Sequence, residues 1–188
     1  MGGDFKKRVY TELMNATKRK IIHDFAVRLR TVFQVESPVK LDELVTRLAG
    51  TIVEAKLDDG VSGKIEKTDG AFRITVNPQD APNRIVFTIA HELGHLFLHM
   101  GYLVNPDRWN TLKEAYIDSV YFRSGFSEEE YEANEFAGAF LMPEPEFRER
   151  YLQYQAAGQD PISELSQFYL VSTEAVSNRC KWLGILPW

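Results

Sequence analysis

The chain has 188 residues, of which 44% are hydrophobic and 26% are charged, a composition typical of a globular domain with its own core. No run approaches the roughly 18 apolar residues of a membrane-spanning helix, and the N-terminus has no apolar signal core. The single cysteine, Cys180, cannot form an internal disulfide. We therefore expect a cytoplasmic protein without a membrane anchor.

The net charge of -5 conceals a basic N-terminal segment, since residues 1–30 contain eight Lys and Arg against three acidic residues. Such a segment could contact nucleic acid or an acidic partner. The alternative is the solvated face of an ordinary helix, because the same region carries an apolar stripe at helical spacing. The stripe consists of Ile21, Ile22, Phe25, Leu29, Val32 and Phe33.

The hydrophobic pattern predicts an α+β fold. Two helices, at residues 5–34 and 41–50, precede three strands at residues 51–57, 62–68 and 71–77. Asp69-Gly70 indicates a tight hairpin between the last two strands, and we expect an antiparallel three-stranded sheet. Further helices are predicted at residues 82–101, 127–142, 144–157, 161–169 and 173–183. Residues 102–126 show no clear period, and Ser127 with Glu130 forms a capping box.

The stretch IAHELGHLFLH, residues 89–99, predicts a metal site. On a helix His91 and His95 lie one turn apart on the same face, so both imidazoles can reach one ion. Glu92 can then act as the general base of a zinc hydrolase. The alternative is that these are hydrogen-bonded polar residues of a half-buried helix. We favour the metal site because the motif lies inside an apolar helix that follows a hairpin.

His99 continues the spacing but is not expected to be a ligand. Eight residues at about 1.5 Å rise separate it from His91 by roughly 12 Å, too far for one ion in a straight helix. We expect it to support a ligand from outside the coordination sphere, to stabilise an oxyanion, or to be a polar residue near the helix end. Tyr102, Tyr121 and Tyr131 are further oxyanion candidates.

The missing ligand is expected on the helix at residues 127–142, which contains five glutamates. Projected on a helical wheel, Glu129 and Glu132 fall within or beside the apolar stripe, whereas Glu128, Glu130 and Glu135 point further away. A carboxylate on an apolar face is costly unless it is paired or bound to a metal. Periodicity thus leaves Glu129 and Glu132 as alternatives.

These motifs together resemble the ImmA/IrrE family of zinc metallopeptidases. The resemblance rests on RIVFTIAHELGHLFLH (84–99) and EYEANEFAGAFLMP (130–143), with DDGVSGKI (58–65) and ITVNP (74–78) before them. It implies a zincin-like fold, a Zn²⁺ cofactor and, as third ligand, the glutamate directly before Ala-Asn, which is Glu132. It also implies cleavage of a separately encoded helix-turn-helix repressor in a bacterium or its mobile element. The rival is a regulatory binding protein that keeps the metal fold without proteolysis.

The C-terminal segment, residues 162–186, resembles a helix-turn-helix. Its second helix would offer Arg179 and its neighbours to DNA, but the acidic residues of the segment cancel the basic ones, which disfavours phosphate contacts. Packing against the peptidase core is the preferred interpretation. We therefore expect a metallopeptidase domain at residues 1–158 and a helical appendage at residues 159–188.

Overall fold

The computed structural model describes residues 16–112, 117–119 and 127–188. The N-terminal part contains α1 (Ala16–Val32), α2 (Leu41–Arg47), β1 (Thr51–Glu54), β2 (Gly63–Thr68) and β3 (Ala71–Val76). Next come α3 (Pro82–Gly94), a π-helical turn (His95–His99), α4 (Pro106–Thr111) and β4 (Ile117–Ser119). The C-terminal part contains α5 (Glu128–Leu141), α6 (Glu144–Ala156), α7 (Pro161–Tyr169) and α8 (Thr173–Trp182). The predicted α+β class is confirmed, and none of the described helices is long and apolar enough to cross a membrane.

The sheet is mixed rather than antiparallel. Its strands lie in the order β1-β3-β2-β4, and β1 pairs parallel with β3. The predicted hairpin is confirmed, since β2 and β3 pair antiparallel around Asp69-Gly70, where Gly70 has a φ of +70°. The expectation for β1 was wrong because β3 lies between β1 and β2. In addition, β4 covers the Lys64–Glu66 edge of β2.

The buried core lies where the sheet, α3 and α5 meet. Ile65 and Ile74 of the sheet are fully buried there, as are Leu93 of α3 and Phe136 of α5. Helices α3 and α5 approach each other at Gly94, where an added Cβ would lie 3.0 Å from the Cα atom of Ala133. The glycine between the two histidines of the motif therefore lets the two helices touch. This contact sets the face of α3 that carries His91 against α5.

Replacing Gly94 with valine is expected to destabilise the protein by about 1–3 kcal/mol, because the branched side chain overpacks the contact with Ala133. The free energy of unfolding, measured by urea denaturation, checks this. Gly138 of α5 is the matched control, since a Cβ there meets no atom within 4 Å. A Gly94→Val variant as stable as Gly138→Val would contradict the close-contact argument.

Candidate metal centre

His91 and His95 lie on one face of the helical segment and point their imidazoles at a common spot. The Nε2 atoms of the two rings are 2.9 Å apart, and both side chains are buried. His91 lies in α3, and His95 begins the π-helical turn. The i to i+4 relation predicted from the sequence is therefore present.

Glu130 of α5 completes a group of three ligand atoms with the two histidines. Its Oε2 atom lies 3.4 Å from the Nε2 of His91, and its Oε1 atom lies 3.3 Å from the Nε2 of His95. Ligands of a tetrahedral zinc, at about 2.0–2.2 Å from the ion, are separated by about 3.3–3.6 Å. The two contacts of Glu130 match this spacing, and the histidine pair needs to open by only a few tenths of an ångström. The three side chains therefore fit one zinc ion.

The second nitrogen of the His91 ring is also held by a hydrogen-bonding group. The Nδ1 of His91 is 3.0 Å from the Oδ1 of Asn134, an acceptor, so that Nδ1 carries the proton. The Nε2 atom of His91 then presents a lone pair towards Glu130 and His95. Asn134 thus orients an imidazole that could hold a metal ion.

The electrostatics of the group favour a charged carboxylate beside neutral rings. Burial lowers the pKa of His91, so that its imidazole is readily neutral and able to bind a metal. Burial alone would raise the pKa of Glu130, but the imidazoles of His91 and His95 outweigh burial and bring it to about 2. A neutral nitrogen and an ionised carboxylate are the forms that ligate metals.

The resemblance implies Glu132 as the third metal ligand, but in the structure Glu132 lies against His99 and outside the group formed by His91, His95 and Glu130. Its Oε2 atom is 3.0 Å from the Nε2 of His99, and its carboxylate also forms an ion pair with Lys18 of α1. His99 is buried, and its Nδ1 atom is 2.9 Å from the Nδ1 of His95. His99 therefore contacts His95, one of the three candidate ligands, on the side of the ring opposite Glu130.

The helical wheel ranked the glutamates of α5 incorrectly. Glu129 is exposed, whereas Glu130 is partly buried and Glu135 is almost fully buried. The capping-box pattern accounts for Glu130 as a residue of the helix N-terminus, so it does not indicate that the carboxylate faces the histidines. The hydroxyl of Ser127 does accept a hydrogen bond from the backbone N–H of Glu130, but the Glu130 carboxylate turns towards the histidines. The better signal is Asn134, which stands four residues later on the same face and contacts His91.

Glu92 lines a small cavity beside His91. The cavity has a volume of about 20 Å³ and is enclosed by Ser62, Gly63, Phe87, Thr88, His91 and Glu92. One water needs about 10–15 Å³ by a comparable measure, so a single water fits there. Gly63 lets the side chains of Thr88 and Glu92 lie close to its backbone. A Cβ on this residue would be 2.3 Å from Thr88 Cγ2 and 3.2 Å from Glu92 Oε1.

A larger cleft opens next to this cavity and shares Ser62, Phe87 and Thr88 with it. Its volume is about 560 Å³, which is in the range of ligand-binding clefts. One wall comes from α3 and α5, and the other comes from α8 through Glu174, Asn178 and Trp182. The C-terminal helix is therefore part of the cleft.

An ionic cluster joins α1, α5 and α8 beside this cleft, and two of its members, Glu135 and Arg179, line the cleft. The Glu135 carboxylate forms an ion pair with His23. Two arginine nitrogens, Arg179 Nη1 and Arg19 Nε, each lie 3.9 Å from an oxygen of the same carboxylate. Arg179 also donates through Nε to the backbone carbonyl of Met142 at 3.1 Å. Burial opposes ionisation of Glu135, but the contact with His23 and the nearby arginines lower its pKa.

Replacing Glu135 with alanine is expected to cost about 3–5 kcal/mol of the free energy of unfolding, because the change leaves the buried Arg179 without its carboxylate. Urea denaturation measures the cost. Glu149→Ala, at an exposed position of α6, is the control and should change stability by less than about 0.5 kcal/mol. A cost for Glu135→Ala near that of the control would show that the cluster contributes little.

Basic residues that the sequence offered to nucleic acid are engaged within the chain. Lys18 pairs with Glu128 and Glu132, and Lys20 donates to Asp24 at 2.7 Å. The guanidinium of Arg19 stacks on the ring of Trp182 at 3.9 Å. For residues 16–30, the part of the segment that the structure describes, these contacts favour the helix-face interpretation.

Arg179 of the C-terminal segment is buried, and the hydroxyl of Tyr102, an oxyanion candidate, is hydrogen-bonded to the backbone. Arg179, which a DNA reader would need at its surface, is 4% exposed and bonded to Met142. Packing on the core is therefore the structural role of this arginine. Tyr102 donates its hydroxyl to the carbonyl of Leu48 at 2.6 Å, away from His91 and His95, and Tyr121 lies outside the described residues.

Comparison with known proteins identifies the family. The sequence matches the family model of the IrrE N-terminal-like domain, Peptidase M78, over residues 47–181, and no curated protein is significantly similar to it. A solved structure with the same fold is a Mycobacterium tuberculosis transcriptional regulator, with a TM-score of 0.55 and 22% sequence identity. The match covers 85% of this chain but 46% of that chain, so this chain spans less than half of the regulator. With well over half of its residues matched by the family model, the protein belongs to the ImmA/IrrE family.

Proposed function

We propose that this protein is a zinc-dependent endopeptidase whose metal is held by His91, His95 and Glu130. The observation that carries the proposal is the convergence of two imidazole nitrogens and one carboxylate at separations of 2.9–3.4 Å. Three protein ligands leave a fourth position open, as in catalytic rather than structural zinc sites. The chain holds one cysteine, buried in α8, which also argues against a cysteine-rich structural site.

The residues around this site have separate tasks in peptide hydrolysis. Zinc, when bound, would supply a Lewis acid that acidifies water and polarises the scissile carbonyl. The Glu92 carboxylate accepts the proton of the attacking water, which the adjoining cavity accommodates, and returns it to the leaving amine. Asn134 holds the ring of His91 in place through its Nδ1 atom.

The substrate proposed is a protein segment bound in the cleft beside Glu92, with α8 forming one wall. The cleft shares residues with the small cavity, so a chain lying in it passes the general base. Cleavage of a helix-turn-helix repressor, and hence control of transcription in the bacterial cytoplasm, follows from the family resemblance. The name of the Mycobacterium tuberculosis structure, a transcriptional regulator, agrees with this area of biology.

The test is to incubate the zinc-loaded protein with any helix-turn-helix repressor whose gene adjoins its own and to follow cleavage by mass spectrometry. We expect one or a few specific cuts that disappear when a chelator removes the metal and return when zinc is restored. A stoichiometric zinc protein that binds the repressor without cutting it would instead support the non-proteolytic regulatory function.

A further inference from the structure

We propose that His99, Glu132 and Lys18 form an outer hydrogen-bond relay that fixes the orientation and tautomer of His95 and so strengthens metal binding. The inference rests on the metal site of the proposed function but not on peptidase activity. It gives Glu132 a positioning role rather than a place among the ligands. It also connects the metal site to helix α1, which supplies Lys18.

The Glu132 carboxylate, at one end of the relay, determines the direction of each hydrogen bond. Glu132 is an acceptor, so the Nε2 atom of His99, 3.0 Å from its Oε2, must carry a proton. A neutral His99 then has a lone pair on its Nδ1 atom, which accepts a hydrogen bond from the Nδ1–H of His95 at 2.9 Å. With its proton on Nδ1, His95 presents a lone pair on Nε2, the atom that faces Glu130 at 3.3 Å. The two hydrogen bonds therefore favour the His95 tautomer with its proton on Nδ1, which is the form that can bind a metal through Nε2.

The neutral state of His99 agrees with its surroundings. Its side chain is 4% exposed, and such a buried site favours the uncharged imidazole. The Glu132 carboxylate lies between two donors, since it forms an ion pair with Lys18 and accepts a hydrogen bond from the Nε2 of His99. The chain of groups therefore holds its charge on Glu132, where Lys18 neutralises it.

The π-helical turn at His95–His99 lets this relay form. The backbone N–H of Met100 donates to the carbonyl of His95 at 2.9 Å, an i to i+5 bond that widens the turn. His99 remains beside His95, with ring centroids 4.9 Å apart, and its Nε2 reaches across to α5. Turns of this kind occur frequently at functional sites, where they re-aim a side chain.

The experiment measures zinc affinity by competition with a chromophoric chelator in the full-length protein and in the variants His99→Phe and Glu132→Gln. Both variants are expected to bind zinc about 10–100-fold more weakly, with one zinc per chain still bound at saturation. Glu149→Gln, an exposed position of α6 with the same change of charge, should stay within about twofold of the original protein. Unchanged zinc affinity in His99→Phe and Glu132→Gln would overturn the relay.

A spectroscopic readout separates positioning from a general loss of structure. In the zinc-loaded protein the His95 Nδ1 proton should resonate far downfield, and it should move upfield in His99→Phe because it loses its acceptor. An unmoved resonance would overturn the proposal even if affinity fell. Loss of stoichiometric zinc from Glu132→Gln would also overturn it, by making Glu132 a ligand. If the original protein bound zinc but cut no protein, only the peptidase function would fail.

Discussion

Replacing Glu130 with glutamine is expected to weaken zinc binding by more than about 100-fold, beyond the range of about 10–100-fold typical of changes to groups that only support a ligand. The amide keeps the size of the side chain but removes the negative charge that faces His91 and His95 at 3.4 and 3.3 Å. The chelator competition used for the relay variants measures the loss. Cobalt substitution adds a second readout, because its visible spectrum reports the number and kind of ligands.

Glu149→Gln is again the control, since this exposed glutamate of α6 carries the same charge. The comparison with Glu132→Gln decides between the two candidate ligands. A Glu130→Gln protein that holds zinc normally, together with a Glu132→Gln protein that does not, would restore the ligand implied by the family resemblance. The converse ranking would support the assignment made from the geometry.

The motif on α3 was predictable because its chemistry is local. Two histidines one helical turn apart share a face whatever surrounds the helix, and both lie where the sequence placed them. The β2–β3 hairpin was predictable for the same reason, since Asp69-Gly70 determines a tight turn through its own backbone. Both the histidine pair and the hairpin are thus determined by interactions between residues that are close in sequence.

The identity of the third side chain near the histidines depended on the packing of two helices. A helical wheel weights all apolar residues alike, whereas α5 meets α3 along the line through Ala133 and Gly94. That contact turns Glu130 and Asn134 towards His91 and gives Glu135 to the cluster with Arg179. A wheel cannot reveal which part of a buried face adjoins which neighbour.

Two further features required long-range or competing interactions. The parallel pairing of β1 with β3 depends on β3 entering the sheet between β1 and β2, which the turn residues do not encode. The π-helical turn interrupts a segment whose apolar pattern favours a continuous α-helix. It brings Glu132 of another helix into contact with His99, a partner that lies 33 residues away along the chain.

Replacing Glu92 with glutamine is expected to lower kcat for repressor cleavage by about 10²–10⁴-fold, the range that general acid–base catalysis contributes. Glutamine preserves the size of the side chain, which lies against Gly63, Thr88 and the cavity that admits one water. It cannot accept a proton from that water. Zinc stoichiometry should be unchanged, because Glu92 is not among the ligand atoms that converge on the site in the described part of the chain.

The measurement combines single-turnover cleavage of the repressor with zinc analysis of the same preparation. Glu149→Gln, at an exposed position of α6, is the control and should cleave at the original rate. A Glu92→Gln protein that keeps its zinc and loses cleavage would assign proton transfer to Glu92. If this variant still relieved repression in cells at the original level, regulation would depend on binding rather than on cutting. The peptidase chemistry of the fold would then be separable from its regulatory effect.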